Sequence, residues 1–438
     1  MVSCDGHIGA PVEQYRNYFE ASFRNDYDTW LVHHAQVVSE LRSTAGYAKT
    51  AMPGRRRPFL ADDPEDGITV AEICDPAVRV KILESEGAVA EVLFPNPDFA
   101  REAGFPFGSL SGTLARDIFD SLASQSYAEL IAAGNRAYNR WLADYCSELP
   151  GRAIGVLYPP RHDIDSAVAE IRAGREAGLR GVQIPSDDPC CPPYWDDYWE
   201  PLWSVCEELE MPIHFHGGTS FGDKALPAGN EDIRTALVIL EGPFWYARPL
   251  KVLIYAGVLE RHPGLRVVFT EFNCDWVPSM LARMELVHRD SSYRATFAAS
   301  TPRPPSEYWY RQCYAGASLL SRDEVNLRAN IGVGNMMYGI DFPHPEGSWL
   351  RTKPWLQQVF GGTGISETDL RQILGETAVG LYRLDANQLR PIAEQVGPSV
   401  EEIVHAEPRT ADLWGGAFDY MPAPYRKAIW SPQEPVGI

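Results

Sequence analysis

Eight short apolar runs recur along this chain, at 2–4, 88–94, 152–158, 179–184, 212–215, 266–269, 313–315 and 336–340, and each is followed by a proline, a glycine or a polar side chain. Segments of helical periodicity separate most of them, such as 163–178, which stops at Gly178, and 199–210. Alternating strands and helices bury a parallel sheet under a helical layer, so the order predicts an α/β barrel of the (β/α)8 type rather than a sandwich. The runs are too short for periodicity alone to separate strand from helix, and the alternation carries the assignment.

A chain of 438 residues can hold one barrel with insertions or two domains. We expect a barrel over 1–385, interrupted at 10–68 by an insertion rich in aromatics and charge. Loops of a barrel cluster on its site-bearing face, so this insertion is a candidate lid. Residues 386–438 form a C-terminal arm carrying Trp414, Tyr420, Tyr425 and Trp430, expected to pack on this subunit or another.

The net charge of −20 argues against a nucleic-acid partner, because phosphate contacts need clustered Lys and Arg. The one basic run, Arg55 to Arg57, reads as a solvated loop or as a clamp for an anionic ligand. No stretch approaches about 18 uninterrupted apolar residues, so no membrane span is expected. Nor does the N-terminus show the charged and then apolar regions of a secretory signal. The eight cysteines are dispersed apart from the vicinal Cys190 and Cys191, which suits free thiols in a reducing compartment. The expected location is the cytoplasm.

Chemistry-bearing side chains sit at the ends of the apolar runs. Asp5 and His7 leave the first strand two positions apart and can share one side of it. A chelating pair and a capped turn with a structural histidine both fit that spacing. His214 and His216 repeat it after Met211-Pro-Ile, and two histidines on one face of a buried strand are hard to explain as packing. Gly217 and Gly218 follow, leaving room for a substrate or a backbone to approach. Glu271 ends the run Val267-Val-Phe-Thr; a buried carboxylate needs a metal, a histidine or a donor, the plain alternative being a helix cap or an arginine pair. Asp341 closes Met-Met-Tyr-Gly-Ile, and His344 is placed to hold a hydrogen bond behind it or to touch substrate. Asp75, Asp98 and Asp275 remain unranked. Ser318 lacks a hydrolase elbow, and neither a phosphate loop nor a dinucleotide fingerprint is present. Imidazoles and carboxylates together suit a divalent first-row metal.

Residues 2–11, the passage from Trp203 through Met211-Pro-Ile-His-Phe to His216, and Arg261-His-Pro-Gly through Glu271 resemble the amidohydrolase-related family. So do Tyr338-Gly-Ile-Asp-Phe-Pro-His-Pro-Glu-Gly347 and the closing segment 375–384. The resemblance implies a distorted TIM barrel over about 1–385, bearing a metal-dependent hydrolase or non-oxidative decarboxylase. It makes Asp5, His7, His216 and Asp341 metal ligands, with Asp341 also handling a proton. Many members carry a histidine on the sixth strand, where this chain has Glu271. That substitution removes an imidazole and adds an anionic donor, so Glu271 joins the expected ligand set. Asp341, His214 and His344 are the expected catalytic side chains.

The leading expectation is a hydrolase acting on a small organic molecule through metal-activated water, with one or two Mn, Fe or Zn ions. Three alternatives stand beside it. One is a dinuclear Fe/Mn oxygenase that activates dioxygen, with or without a related partner subunit. Another is a non-oxidative decarboxylase. The third is a non-catalytic subunit that keeps the barrel to support a related active partner. Trp30 and Tyr47 in the insertion suit a planar ligand or plain core packing. The chain is expected to form a homo-oligomer, or a hetero-oligomer with a related subunit.

Overall fold

A computed structural model describes residues 1–32, 73–95, 127–188, 191–217, 231–318, 320–344, 347–349 and 351–406. Arg55 to Arg57, Asp98, Cys190, Gly218, Tyr47 and the four tail aromatics lie outside the described residues.

All eight expected strands are present, and every pairing between neighbours is parallel. The first run is broken into β1 (Val2–Ser3) and β2 (His7–Ile8), both paired with β3 (Ala90–Pro95). There follow β4 (Ala153–Leu157), β5 (Gly181–Gln183), β6 (Ile213–His216), β7 (Val267–Thr270), β8 (Cys313–Ser318) and β9 (Met336–Gly339). Backbone hydrogen bonds return β9 to the start of the chain: Cys4 N to Tyr338 O at 2.8 Å, Asp341 N to Asp5 O at 3.0 Å and His7 N to Phe342 O at 2.7 Å. The result is a nearly closed eight-stranded barrel, a distorted TIM barrel.

Helices cover its outside: α1 (Pro76–Ser85), α2 (Tyr127–Glu148), α3 (Ile164–Glu176), α4 (Glu200–Glu208), α5 (Arg248–Tyr255), α6 (Pro305–Gln312), α7 (Arg322–Asn326) and α8 (Thr352–Phe360). Their ends follow from local chemistry. Asp75 caps α1 by accepting from Ala77 N and Val78 N, with Pro76 in the first turn where no N–H is needed. Asp163 caps α3, and Gly178 takes the positive φ of 97° that stops it. Asp75 is thereby a cap, and Asp275 stands at the cap position of the helix Trp276–Arg289.

Strand alternation sorts the core into two parts. Val92, Phe94, Ile154, Val156, Val268 and Met337 fill the barrel interior. Leu93, Leu157, Ile213, Phe215, Val267 and Phe269 point outward into the layer shared with the helices. Residues 10–32, the described start of the segment expected to be an insertion, join that layer, with Tyr15, Phe19, Tyr27 and Trp30 all buried. Trp30 is therefore core. Leu389, on the helix Ala386–Val396, packs with Val2, Val89 and Ala90 at the strand starts, the end of the barrel away from Asp5. No described helix is long and apolar enough to cross a membrane, and the seven described cysteines are free.

Candidate metal centre

The barrel gathers six donor side chains at the C-terminal ends of its strands, the end where enzymes of this fold keep their sites. Asp5 and His7 lie at the break between β1 and β2, His216 ends β6, Glu271 follows β7, and Asp341 and His344 follow β9. Glu271 (φ 64°) and Asp341 (φ 59°) sit in the left-handed region, which side chains other than glycine seldom occupy. Such backbone persists only where the surroundings hold it, and it concentrates at functional sites.

Spacing within the cluster is that of ligands. Asp5 Oδ1 is 3.3 Å from His7 Nε2 and 3.2 Å from His216 Nε2. Asp341 Oδ1 is 3.4 Å from His7 Nε2 and 3.0 Å from His344 Nδ1. Glu271 places Oε1 3.4 Å from His344 Nδ1, while its Oε2, 3.0 Å from His216 Nδ1, meets the side of that ring turned away from Asp5. Neighbouring donors of an ion held at about 2.1 Å stand roughly 3.0–3.4 Å apart in octahedral or tetrahedral geometry.

Two carbonyls set the imidazole tautomers. His7 Nδ1 lies 3.2 Å from Pro95 O, and His216 Nδ1 lies 2.9 Å from Gly217 O. A carbonyl oxygen only accepts, so each Nδ1 is the N–H and each Nε2 is turned toward Asp5. Ser318, at the end of β8, donates its hydroxyl to Asp5 Oδ2 and orients that carboxylate. Among the described residues, His7 Nε2, both Asp341 oxygens and both His344 nitrogens are buried without a hydrogen-bond partner. Buried polar atoms are costly to leave so, and these face one another at ligand spacing. The donor set therefore fits a divalent metal.

Charge follows the same arrangement. Burial alone would raise the Asp5 and Glu271 carboxyls. The adjacent His216, with His7 beside Asp5 and His344 beside Glu271, holds both below the ordinary carboxylate range. Burial opposes charge on the rings as well. Even so, Asp341 and Asp5 raise His7, Glu271 and Asp5 raise His216 well above its ordinary value, and Asp341 and Glu271 do the same for His344.

Of the residues expected from the sequence, only His214 is not brought to the cluster. It lies deeper in the barrel, stacked on Tyr382 at 5.9 Å between ring centroids and edge-on to Phe94 at 5.2 Å. Burial, with the nearby His216 charge, pushes it down to about 3, so it is a neutral core histidine at physiological pH. Gly217 meets a backbone rather than a substrate: a Cβ there would stand 2.7 Å from Glu271 O. Ser318, set aside as a nucleophile, is the functional side chain that sequence reasoning passed over. Its signal was its place at a strand end.

The donors divide into two overlapping groups, Asp5, His7, His216 and Glu271, and then His7, Glu271, Asp341 and His344, each with its ligand atoms within 4.8 Å of one another. The amidohydrolase family model matches residues 113–384, well over half of the chain. The chain belongs to the amidohydrolase family. Gamma-resorcylate decarboxylase of Rhodococcus jostii (strain RHA1) is 26% identical to it over 268 residues, spanning 57% of this chain and 76% of that enzyme. An amidohydrolase from Mycobacterium avium subsp. paratuberculosis K-10 superposes with a TM-score of 0.60 at 18% identity, over 87% of this chain and 98% of that one. Dihydroxybenzoic acid decarboxylase from Polaromonas sp. JS666, with bound manganese and the inhibitor 2-nitroresorcinol, superposes with a TM-score of 0.55 at 16% identity, over 89% and 98% of the two chains.

Proposed function

We propose that this protein is a divalent-metal-dependent, non-oxidative decarboxylase of a small hydroxylated aromatic acid. Asp5, His7, His216 and Asp341 would hold the ion, with manganese favoured by the carboxylate content of the set and by the manganese in the Polaromonas enzyme. The observation that carries the reading is the position of His344. Glu271 stands where many family members have a catalytic histidine, and His344 Nδ1 lies 3.4 Å from Glu271 Oε1 and 3.0 Å from Asp341 Oδ1. The loop after β9 thus returns an imidazole to that side of the site. The decarboxylase relatives weigh in the same direction, and this reading replaces hydrolysis as the leading one.

When bound, the ion would favour ionisation of a ring hydroxyl of the substrate, which leaves the ring electron-rich. His344, with Nδ1 3.0 Å from Asp341 Oδ1 and 3.4 Å from Glu271 Oε1, would be the proton donor. It would protonate the ring carbon that bears the carboxylate. The carbon–carbon bond then breaks, its electron pair returns to the ring, and carbon dioxide leaves. Solvent restores the proton through Asp341 or Glu271.

A dinuclear, dioxygen-activating centre is the second reading, favoured by the division of donors into two groups that share His7 and Glu271. Manganese-loaded protein offered gamma-resorcylate and other hydroxybenzoic acids separates the two. Carbon dioxide release without oxygen uptake supports decarboxylation, and substrate-dependent oxygen uptake by an iron-loaded sample overturns it.

A further inference from the structure

Behind the ligand strands, outside the barrel wall, lies an ion pair that the chemistry above does not use. Arg79 on α1 is fully buried, and so is Glu91 on β3, whose side chain points away from the inward-facing Val92. The guanidinium meets the carboxylate as a fork, Nε to Oε1 and Nη2 to Oε2, both at 2.7 Å. Its remaining reach goes to two backbone carbonyls. Nη1 donates to His7 O at 3.0 Å and Nη2 approaches Phe342 O at 3.4 Å, with the guanidinium carbon 4.4 Å from the centre of the Phe342 ring.

Those carbonyls belong to the two segments that close the barrel. His7 carries a ligand and follows Asp5; Phe342 directly follows Asp341. The segments touch through a parallel bridge between Gly6 and Phe342. Gly6 itself is packed against the pair, since a Cβ there would stand 2.7 Å from Glu91 Oε2 and 3.2 Å from Arg79 Nη2. One fixed guanidinium thus contacts both sides of the seam that bears Asp5, His7 and Asp341. We infer that Arg79, held by Glu91, is a positioning residue that sets the separation of the first-strand ligand pair from the last-strand aspartate. A buried ion pair is weak evidence for stability, because desolvation consumes most of the attraction. Its fork onto two ligand-bearing segments is what a register device requires.

The inference rests on the metal reading but not on which reaction the metal serves, so the test reads manganese binding rather than turnover. Replacing both partners by apolar residues of similar size, R79M with E91L, removes the fork without leaving a lone buried charge and is expected to fold. R79K keeps the charge but cannot reach the carboxylate and both carbonyls together. Titration of metal-free protein with manganese(II) should show Kd raised 10- to 100-fold in the double variant, the range for groups that orient ligands, and by less in R79K. The cobalt(II) absorption spectrum should change in band position and intensity. A purely structural pair would lower the melting temperature of the metal-free protein and leave Kd and the cobalt spectrum unchanged. That result, in whichever variant folds, overturns the inference. Failure of the wild-type chain to bind manganese would instead sink the metal reading itself.

Discussion

Lowering the pH should release the metal steeply, because ion and protons compete for the same ring nitrogens. His7 Nε2 and His216 Nε2 face Asp5 at 3.3 and 3.2 Å, and despite burial the surrounding carboxylates raise both imidazoles in the metal-free protein. Both rings must lose a proton to ligate. Each displaced proton changes the apparent Kd about tenfold per pH unit, about 1.4 kcal/mol, so two give about a hundredfold below the folded pKa of both rings. Manganese present at about 100 times Kd stabilises the fold by about 2.7 kcal/mol; one pH unit lower it stands near Kd and contributes only about 0.4 kcal/mol. The metal-free protein should move the opposite way. A raised histidine contributes stability that is full below about pH 6.5, its unfolded value, and is lost as pH rises through the folded value. Thermal melts with and without manganese across pH 6 to 8 should therefore diverge, and calorimetry in buffers of different ionisation enthalpy should count about two protons released per ion. A Kd independent of pH, with no proton release, would refute the ligand assignment.

Three substitutions extend the account. Asp341→Asn should abolish turnover while leaving the far-ultraviolet dichroism intact; full activity would sink the assigned role. Glu271→Gln should keep one manganese per chain by elemental analysis while impairing turnover more than binding. A fall from two ions to one would favour the dinuclear reading instead. His214→Leu, a buried change of similar size, should cost about 1–2 kcal/mol of stability yet retain the metal and the activity; loss of manganese would place His214 in the site after all.

The donors were legible because a barrel makes sequence-distant strand ends neighbours. Asp5, His7, His216, Glu271, Asp341 and His344 were each marked by an apolar run ending in a ligand-type side chain. Depth within the barrel was not legible. His214 shares the inward side of β6 with His216, and alternation alone could not show that it lies roughly 7 Å lower, beside Tyr382. Arg79 and Glu91 were invisible for a different reason. Along the chain they are an ordinary helix charge and an ordinary strand charge 12 residues apart, and only the closure of β9 onto the first strand gives the pair its carbonyl partners. The break between β1 and β2 likewise depends on pairing with β3 and on the Gly6–Phe342 bridge, both long-range.

The most direct test of the central claim is turnover of a hydroxylated aromatic acid by manganese-loaded protein in deuterium oxide, followed by proton and carbon magnetic resonance with the carboxyl carbon labelled. The account predicts labelled carbon dioxide, one deuterium on the ring carbon that bore the carboxylate, and loss of both after chelation. Unchanged acids across the panel, or a ring product carrying a new oxygen atom, would contradict it.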